Sequence, residues 1–135
     1  MAEGIPDNLE LEVATPERPL VHESVSEVQV PGKDGMLGIL PGHAALLSEL
    51  GSGALVYTAG GRRQKLAIQG GFLEVLAGHV RVLADIAERG EDIDVNRARA
   101  DLSAAESQMA GDPEQALRAA ALAQARIDAA GRANS

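Results

Sequence analysis

From Leu9 to about Ile86, apolar residues recur at every second position. Leu9-Glu10-Leu11-Glu12-Val13 alternates cleanly, Val28-Gln29-Val30 repeats the pattern, and His79-Val80-Arg81-Val82-Leu83 follows it nearly throughout. Successive side chains of a strand point to opposite faces, so this pattern predicts an antiparallel sheet with one face buried. Turn signals separate the runs at Pro16 to Pro19, Pro31-Gly32-Lys33-Asp34-Gly35, Gly60-Gly61, Gly70-Gly71 and Ala77-Gly78. Short strands broken by frequent Gly and Pro turns indicate a sandwich or barrel. No helical pattern of sufficient length separates them, which argues against βαβ units.

Near residues 87–91 the character changes, and alanine, arginine and carboxylates replace glycine and β-branched residues. Asp92 or Asp94 is placed to cap a helix running to about Met109, with Ala98, Leu102, Ala105 and Met109 at three- and four-residue steps. Gly111 ends it. Asp112-Pro113-Glu114-Gln115 is a complete start for a second helix: a capping carboxylate, proline in the first turn, and Gln three residues on. That helix runs to about Ala130, where Gly131 stops it. So short a connection folds the pair back as an antiparallel hairpin. The expected architecture is an N-terminal antiparallel β-sandwich (residues 1–87) followed by a C-terminal antiparallel two-helix hairpin (residues 88–135). The helices hold few large apolar residues (Leu102, Met109, Leu117, Leu122, Ile127) among many alanines. Each is therefore locally favoured but weakly fastened, because alanine has little side chain to bury.

Within the β region, Gly35-Met36-Leu37-Gly38-Ile39-Leu40-Pro41-Gly42-His43-Ala44-Ala45-Leu46-Leu47 stands apart. Pro41 has a fixed φ and no amide donor, and Gly42 adopts positive φ without strain. Pro41-Gly42 therefore reads as a type II turn between two buried apolar segments. A rigid turn of this kind presents a surface to a partner.

Composition narrows the chemistry. Twenty acidic against 12 basic residues give a net charge of −8, which disfavours nucleic acid, whose phosphates are held by clustered Lys and Arg. With one Phe, one Tyr and no Trp, the core must be built from many aliphatic contributions. The absence of cysteine excludes disulfides and thiolate chemistry. Residues 2–12 lack the basic and apolar regions of a signal peptide. No apolar run is long enough to insert into a bilayer, since Ser48, Glu49 and Ser52 interrupt the best one. A soluble cytoplasmic protein is expected.

No catalytic constellation emerges. Gly60-Gly61 before Arg62, Arg63 and Lys65 lacks phosphate-loop spacing and reads as a hairpin turn. Gly70-Gly71 reads as a bulge or tight turn. His22, His43 and His79 show no metal-ligand spacing, and no serine sits in a nucleophile frame.

Gly38-Ile39-Leu40-Pro41-Gly42-His43, followed by Gly70-Gly71-Phe72-Leu73-Glu74-Val75, resembles the epsilon subunit of bacterial F-type ATP synthases. The resemblance covers nearly the whole chain. It implies a sandwich plus hairpin and a non-catalytic, peripheral place in the central stalk, between the gamma subunit and the ring of c subunits. That place lies on the cytoplasmic face of the bacterial plasma membrane. It implies coupling of rotation to ATP synthesis in a proton-translocating enzyme, and a hairpin able to extend towards the alpha and beta subunits to inhibit hydrolysis. The contact set it implies is Met36, Leu37, Gly38, Pro41 and His43. Many members carry an acidic residue where Met36 stands, so an apolar contact with the ring is expected here.

The resemblance also implies a regulatory ligand, although no cofactor is required. Ile93-Asp94-x-x-Arg97-Ala98 is similar to the motif with which some epsilon subunits bind ATP between folded-down helices. The implied set is Glu88, Ile93, Asp94, Arg97, Ala98 and, on the second helix, Arg126. A carboxylate accepts from the adenine or ribose, an arginine pairs with phosphate, and a small Ala98 leaves room for the base. On residues alone, Glu88 to Ala98 is a linker feeding a capped helix. The competing function is a free-standing sandwich interaction module with a helical oligomerisation tail.

Overall fold

The computed structural model describes residues 6–131; the outer ends of both expected domains, residues 1–5 and 132–135, lie outside the described residues. Eight strands form one continuous sheet: β1 (Leu9–Ala14), β2 (Pro19–Val25), β3 (Glu27–Gly32), β4 (Gly35–Ile39), β5 (Leu46–Glu49), β6 (Ser52–Ala59), β7 (Arg62–Leu76) and β8 (His79–Arg89). A single 3-10 turn at Gly90–Asp92 leads to α1 (Val95–Ser107) and α2 (Pro113–Ala129). The strand order is β2-β1-β8-β7-β6-β3-β4, with β5 also on β7. Every pairing is antiparallel except β1 with β8, which is parallel. The expected antiparallel sandwich is thus closed by one parallel pair, between strands that are far apart in the chain.

Gly70-Gly71 is where the structure departs most from expectation. The pair makes no turn; it lies inside β7, whose register with β8 runs unbroken from Leu66↔Arg89 to Leu76↔His79. What changes there is sidedness. Leu66 and Ile68 point into the core before the pair, Leu73 and Val75 after it, so the buried parity switches from even to odd. Both glycines have positive φ, +72° and +106°, a region that L side chains rarely adopt. Beside them, the Leu50 amide donates to the Gly71 carbonyl at 2.9 Å and the Gly70 amide to the Gly51 carbonyl at 3.0 Å. The fold line therefore crosses from β7 into the β5–β6 junction. One long strand thereby serves both layers. The first half of β7 lies with β6 and the end of β8, the second half with β5 and the start of β8, which in turn carries β1 and β2.

Between the layers lies an aliphatic core. Leu11, Val13, Val25, Val28, Val30, Ile39, Leu55, Leu66, Ile68, Leu73, Val75, Val80 and Val82 are essentially inaccessible. Tyr57, the sole aromatic in it, donates its hydroxyl to Glu23 at 2.7 Å. Burial first, and that bond second, raise the phenol's pKa beyond its ordinary range, so it stays protonated.

The helices obey their caps. Asp94 accepts from the Arg97 amide at 3.1 Å and Asp112 from the Gln115 amide at 3.2 Å. All buried helical residues among those described are alanines (Ala98, Ala105, Ala116, Ala123, Ala125, Ala129), while Leu117 is exposed. Helix α2 lies over β6 and β7, and α1 packs on α2. Ala125 and Ala129 meet Ala67, with Ala54 and Ile93 alongside. At Gly90 the backbones touch, for a Cβ there would lie 2.1 Å from the Ala129 carbonyl oxygen.

The core cluster contains no helix residue, and the alanines of α2 form their own small cluster with Ala67. We propose on this basis that sandwich and hairpin are separable units, with β8 reaching Arg89 and so ending two residues beyond the boundary expected at Ala87. A chain ending at Gly90 is expected to unfold cooperatively in urea, less stable than the full chain by about 1–2 kcal/mol. A broad, non-cooperative transition in that truncated chain would show the hairpin to be part of one folding unit.

Candidate functional site

Three places gather the residues of interest. The first is the turn after β4, an edge strand paired with β3. The His43 amide donates to the Leu40 carbonyl at 3.0 Å and Gly42 has φ +89°, which closes the expected turn. The flanking segments are not buried as expected. Ile39 is in the core, but Leu40 is 57% and Leu47 73% exposed. Met36, Gly38 and His43 are exposed, Pro41 is half-buried, and Leu37 packs against the core. The apolar run is not buried because its outward residues lie on a strand end and loop left open to solvent among the described residues.

The second place carries no sequence-level assignment. Along the second half of β7, Leu73 and Val75 fill the core while Phe72, Glu74 and Leu76 face out. Phe72 lies opposite Leu83 across the β7–β8 pair, and Glu74 lies opposite Arg81 on one side and Leu47 on the other. Phe72 and Leu83 are 54% and 50% exposed. The charges beside them are satisfied internally: Arg81 reaches Glu12 at 3.3 Å and Glu74 at 3.6 Å. An apolar patch whose ionic groups already pair with one another is a surface suited to a protein partner. The signal for it is present in the sequence, since Phe72, Leu73, Val75 and Leu76 place apolar side chains on both faces of one strand.

The third is the junction of hairpin and sheet. Arg126 Nε donates to Glu88 Oε1 at 2.9 Å and its Nη1 to Asp101 Oδ2 at 3.5 Å, and Arg97 Nε donates to Asp101 Oδ1 at 3.3 Å. Asp94 is the cap of α1, Ala98 on the same helix is fully buried, and Ile93 packs against the alanine seam. Of the residues expected to contact ATP, Glu88 and Arg126 touch, Arg97 joins them through Asp101, and Asp94 bonds within its own helix as a cap. Both arginines already hold carboxylates, through Asp101, a residue absent from the expected set. Among the described residues no group of His, Asp and Glu is arranged to hold a metal, and no polar side chain is buried.

The family model for the ATP synthase delta/epsilon chain β-sandwich domain matches residues 8–90, the span of the bent sheet. The chain belongs to the ATP synthase delta/epsilon family. The ATP synthase epsilon chain of Solibacter usitatus is 55% identical over 128 residues, covering 91% of this chain and 96% of that one. That of Carboxydothermus hydrogenoformans is 50% identical over 104 residues, covering 77% and 78%. A chain in the Euglena gracilis mitochondrial ATP synthase, solved with its OSCP, F1 and c-ring, superposes with a TM-score of 0.79 at 25% identity, over 91% of this chain and 81% of that one.

Like other epsilon chains, the protein is a non-catalytic subunit of the central stalk and associates with the rotor as a peripheral part of the F1 sector. No helix among the described residues is long and apolar enough to cross a membrane.

Proposed function

We propose that this epsilon-type subunit couples to the rotor through two separate surfaces: the outer face around Phe72 and Leu83 seats on gamma, and the Met36–His43 turn meets the c ring. The observation that carries this reading is the uncovered apolar face with its internally paired charges. An overall charge of −8 favours a protein partner over phosphate-bearing ones. Exposed Met36 and Leu40 at the edge of the first layer give the turn an apolar contact, as the missing acidic residue implies. In this reading the subunit works on the cytoplasmic face of a bacterial plasma membrane, in a proton-translocating enzyme. The hairpin, when released, reaches alpha and beta and restrains hydrolysis. A nucleotide entering between the helices at Asp94 and Arg97 has to displace Asp101 and Glu88 from the arginines, so ATP acts on the closed hairpin through those pairs.

A tagged full-length chain is expected to capture gamma and c subunits from detergent-solubilised membranes. Met36→Asp is expected to weaken retention of c by about tenfold, the effect of losing roughly 1.4 kcal/mol at a contact residue, while gamma is still recovered. Capture of neither subunit would favour the free-standing module, and equal loss of both would merge the two surfaces into one.

A further inference from the structure

We infer that Arg126 is a clasp that holds the hairpin on the sandwich without any nucleotide. This inference goes beyond the rotor assignment and concerns the isolated chain. Three elements meet at this one side chain: β8 through Glu88, α1 through Asp101, and α2, which carries it. The guanidinium fork suits that task, since its donors point to two carboxylates at once. The pair with Glu88 is also partly shielded, with the Arg126 side chain 19% and that of Glu88 33% exposed, while that of Asp101 is 45% exposed. By contrast, the i,i+4 pair of Arg97 with Asp101 is open to solvent, with the Arg97 side chain 72% exposed. Exposed pairs contribute little, whereas a partly shielded one is screened less by salt.

The rest of the dock is weak by construction. Its apolar part is mostly alanine on alanine, with Ile93 alongside, and its other polar ties include two hydrogen bonds. Gln69 Nε2 donates to the Arg118 carbonyl at 3.0 Å, and the Gly131 amide donates to the Gly90 carbonyl at 3.3 Å. Helices of 13 and 17 residues are marginal alone in water, so a hairpin that leaves the sheet loses amide protection as well as contact. Removing the clasp therefore loosens an element with few other ties to the sheet.

The test is native-state hydrogen exchange on the full, nucleotide-free chain. Wild-type protein is expected to show protected α2 amides with no ATP present. Arg126→Met, which keeps length but not charge, is expected to lower that protection at least tenfold while the amides of Leu11, Val80 and Val82 keep theirs. Glu88→Met, which alters the sandwich side alone, is expected to act in the same direction. The double variant should lose no more than Arg126→Met, because both substitutions break one pair. Raising salt from 0.05 to 1 M is expected to reduce α2 protection in wild type and not in the double variant. Should Arg126→Met unfold the whole chain, Glu88→Met decides. The inference is overturned by α2 amides unprotected without ATP, by Glu88→Met staying within twofold of wild type, or by strictly multiplicative effects of the two substitutions. The rotor reading would stand in each of those cases, since it rests on Phe72, Leu83 and the Met36–His43 turn, none of which takes part in the clasp.

Discussion

Gly71→Ala is expected to abolish the fold. At φ +106° the new side chain would enter a strained region, and its Cβ would lie 2.0 Å from the Leu83 carbonyl oxygen and 2.9 Å from the Ala84 Cα. Both obstacles are backbone atoms of the neighbouring strand, so no rotamer change relieves them. Strained backbone alone costs of order 1–3 kcal/mol for a non-glycine residue. Here the clash adds the separation of β7 from β8 at the point where the sheet bends, for a total expected to exceed about 4 kcal/mol. For a domain of marginal stability that means insoluble or non-cooperatively unfolding protein. Gly78→Ala is the internal comparison. Its φ is +76° but nothing lies within 4 Å, so it carries the backbone strain without the collision, and about 1 kcal/mol is expected. Urea unfolding followed by circular dichroism measures both. Equal midpoints would mean that the sheet can bend without a glycine at position 71.

The second large effect concerns assembly. Phe72→Glu combined with Leu83→Arg is expected to leave the isolated chain folded and to prevent its capture of gamma. Both side chains are half-exposed and lie directly opposite one another, so the introduced charges face each other with opposite sign and the strand pair is not weakened. Thermal unfolding should stay within the roughly 0.5 kcal/mol typical of surface changes. A central apolar anchor of an interface contributes about 2 kcal/mol or more, close to 30-fold in affinity for each residue. Both surfaces would also have to be desolvated with charges inserted, which adds to the loss. Undiminished recovery of gamma by this variant would remove the outer face from the interface and leave the turn as the contact to examine.

Gly71 and Phe72 fall in one six-residue stretch, Gly71 to Leu76, which shows what is legible locally. Alternation marks Leu73 and Val75 as one face of a strand, and the structure buries both. It marks Phe72 and Leu76 equally as apolar, but whether a second layer covers them is not a property of the strand. Likewise Gly70-Gly71 carries a strong local signal for unusual backbone. The same positive φ serves a tight turn or a fold line, and only the pairing of β8 with β7 on both sides of the glycines, from Leu66 to Leu76, decides between them. In the hairpin, the caps Asp94 and Asp112 act within one turn and could be read residue by residue. Arg126 and Glu88 are 38 positions apart, and their pairing follows from where α2 lands on the sheet. Family resemblance pointed to Arg126 through ligand chemistry. The structure joins it to Glu88 and Asp101.

By itself, the sequence determined the order of a strand region followed by two helices, the aliphatic makeup of the core, the two helix starts, the turn at Pro41-Gly42, and the family. All of these rest on interactions within a few residues or on a pattern carried along the chain. Only the tertiary structure decided the parallel closure of β1 on β8, the switch of faces at Gly70-Gly71, the exposure of Leu47, Phe72 and Leu83, and the clasp at Arg126. Each depends on which distant segments come to lie side by side. Burial and ion pairing are properties of such neighbours, and no single segment contains them.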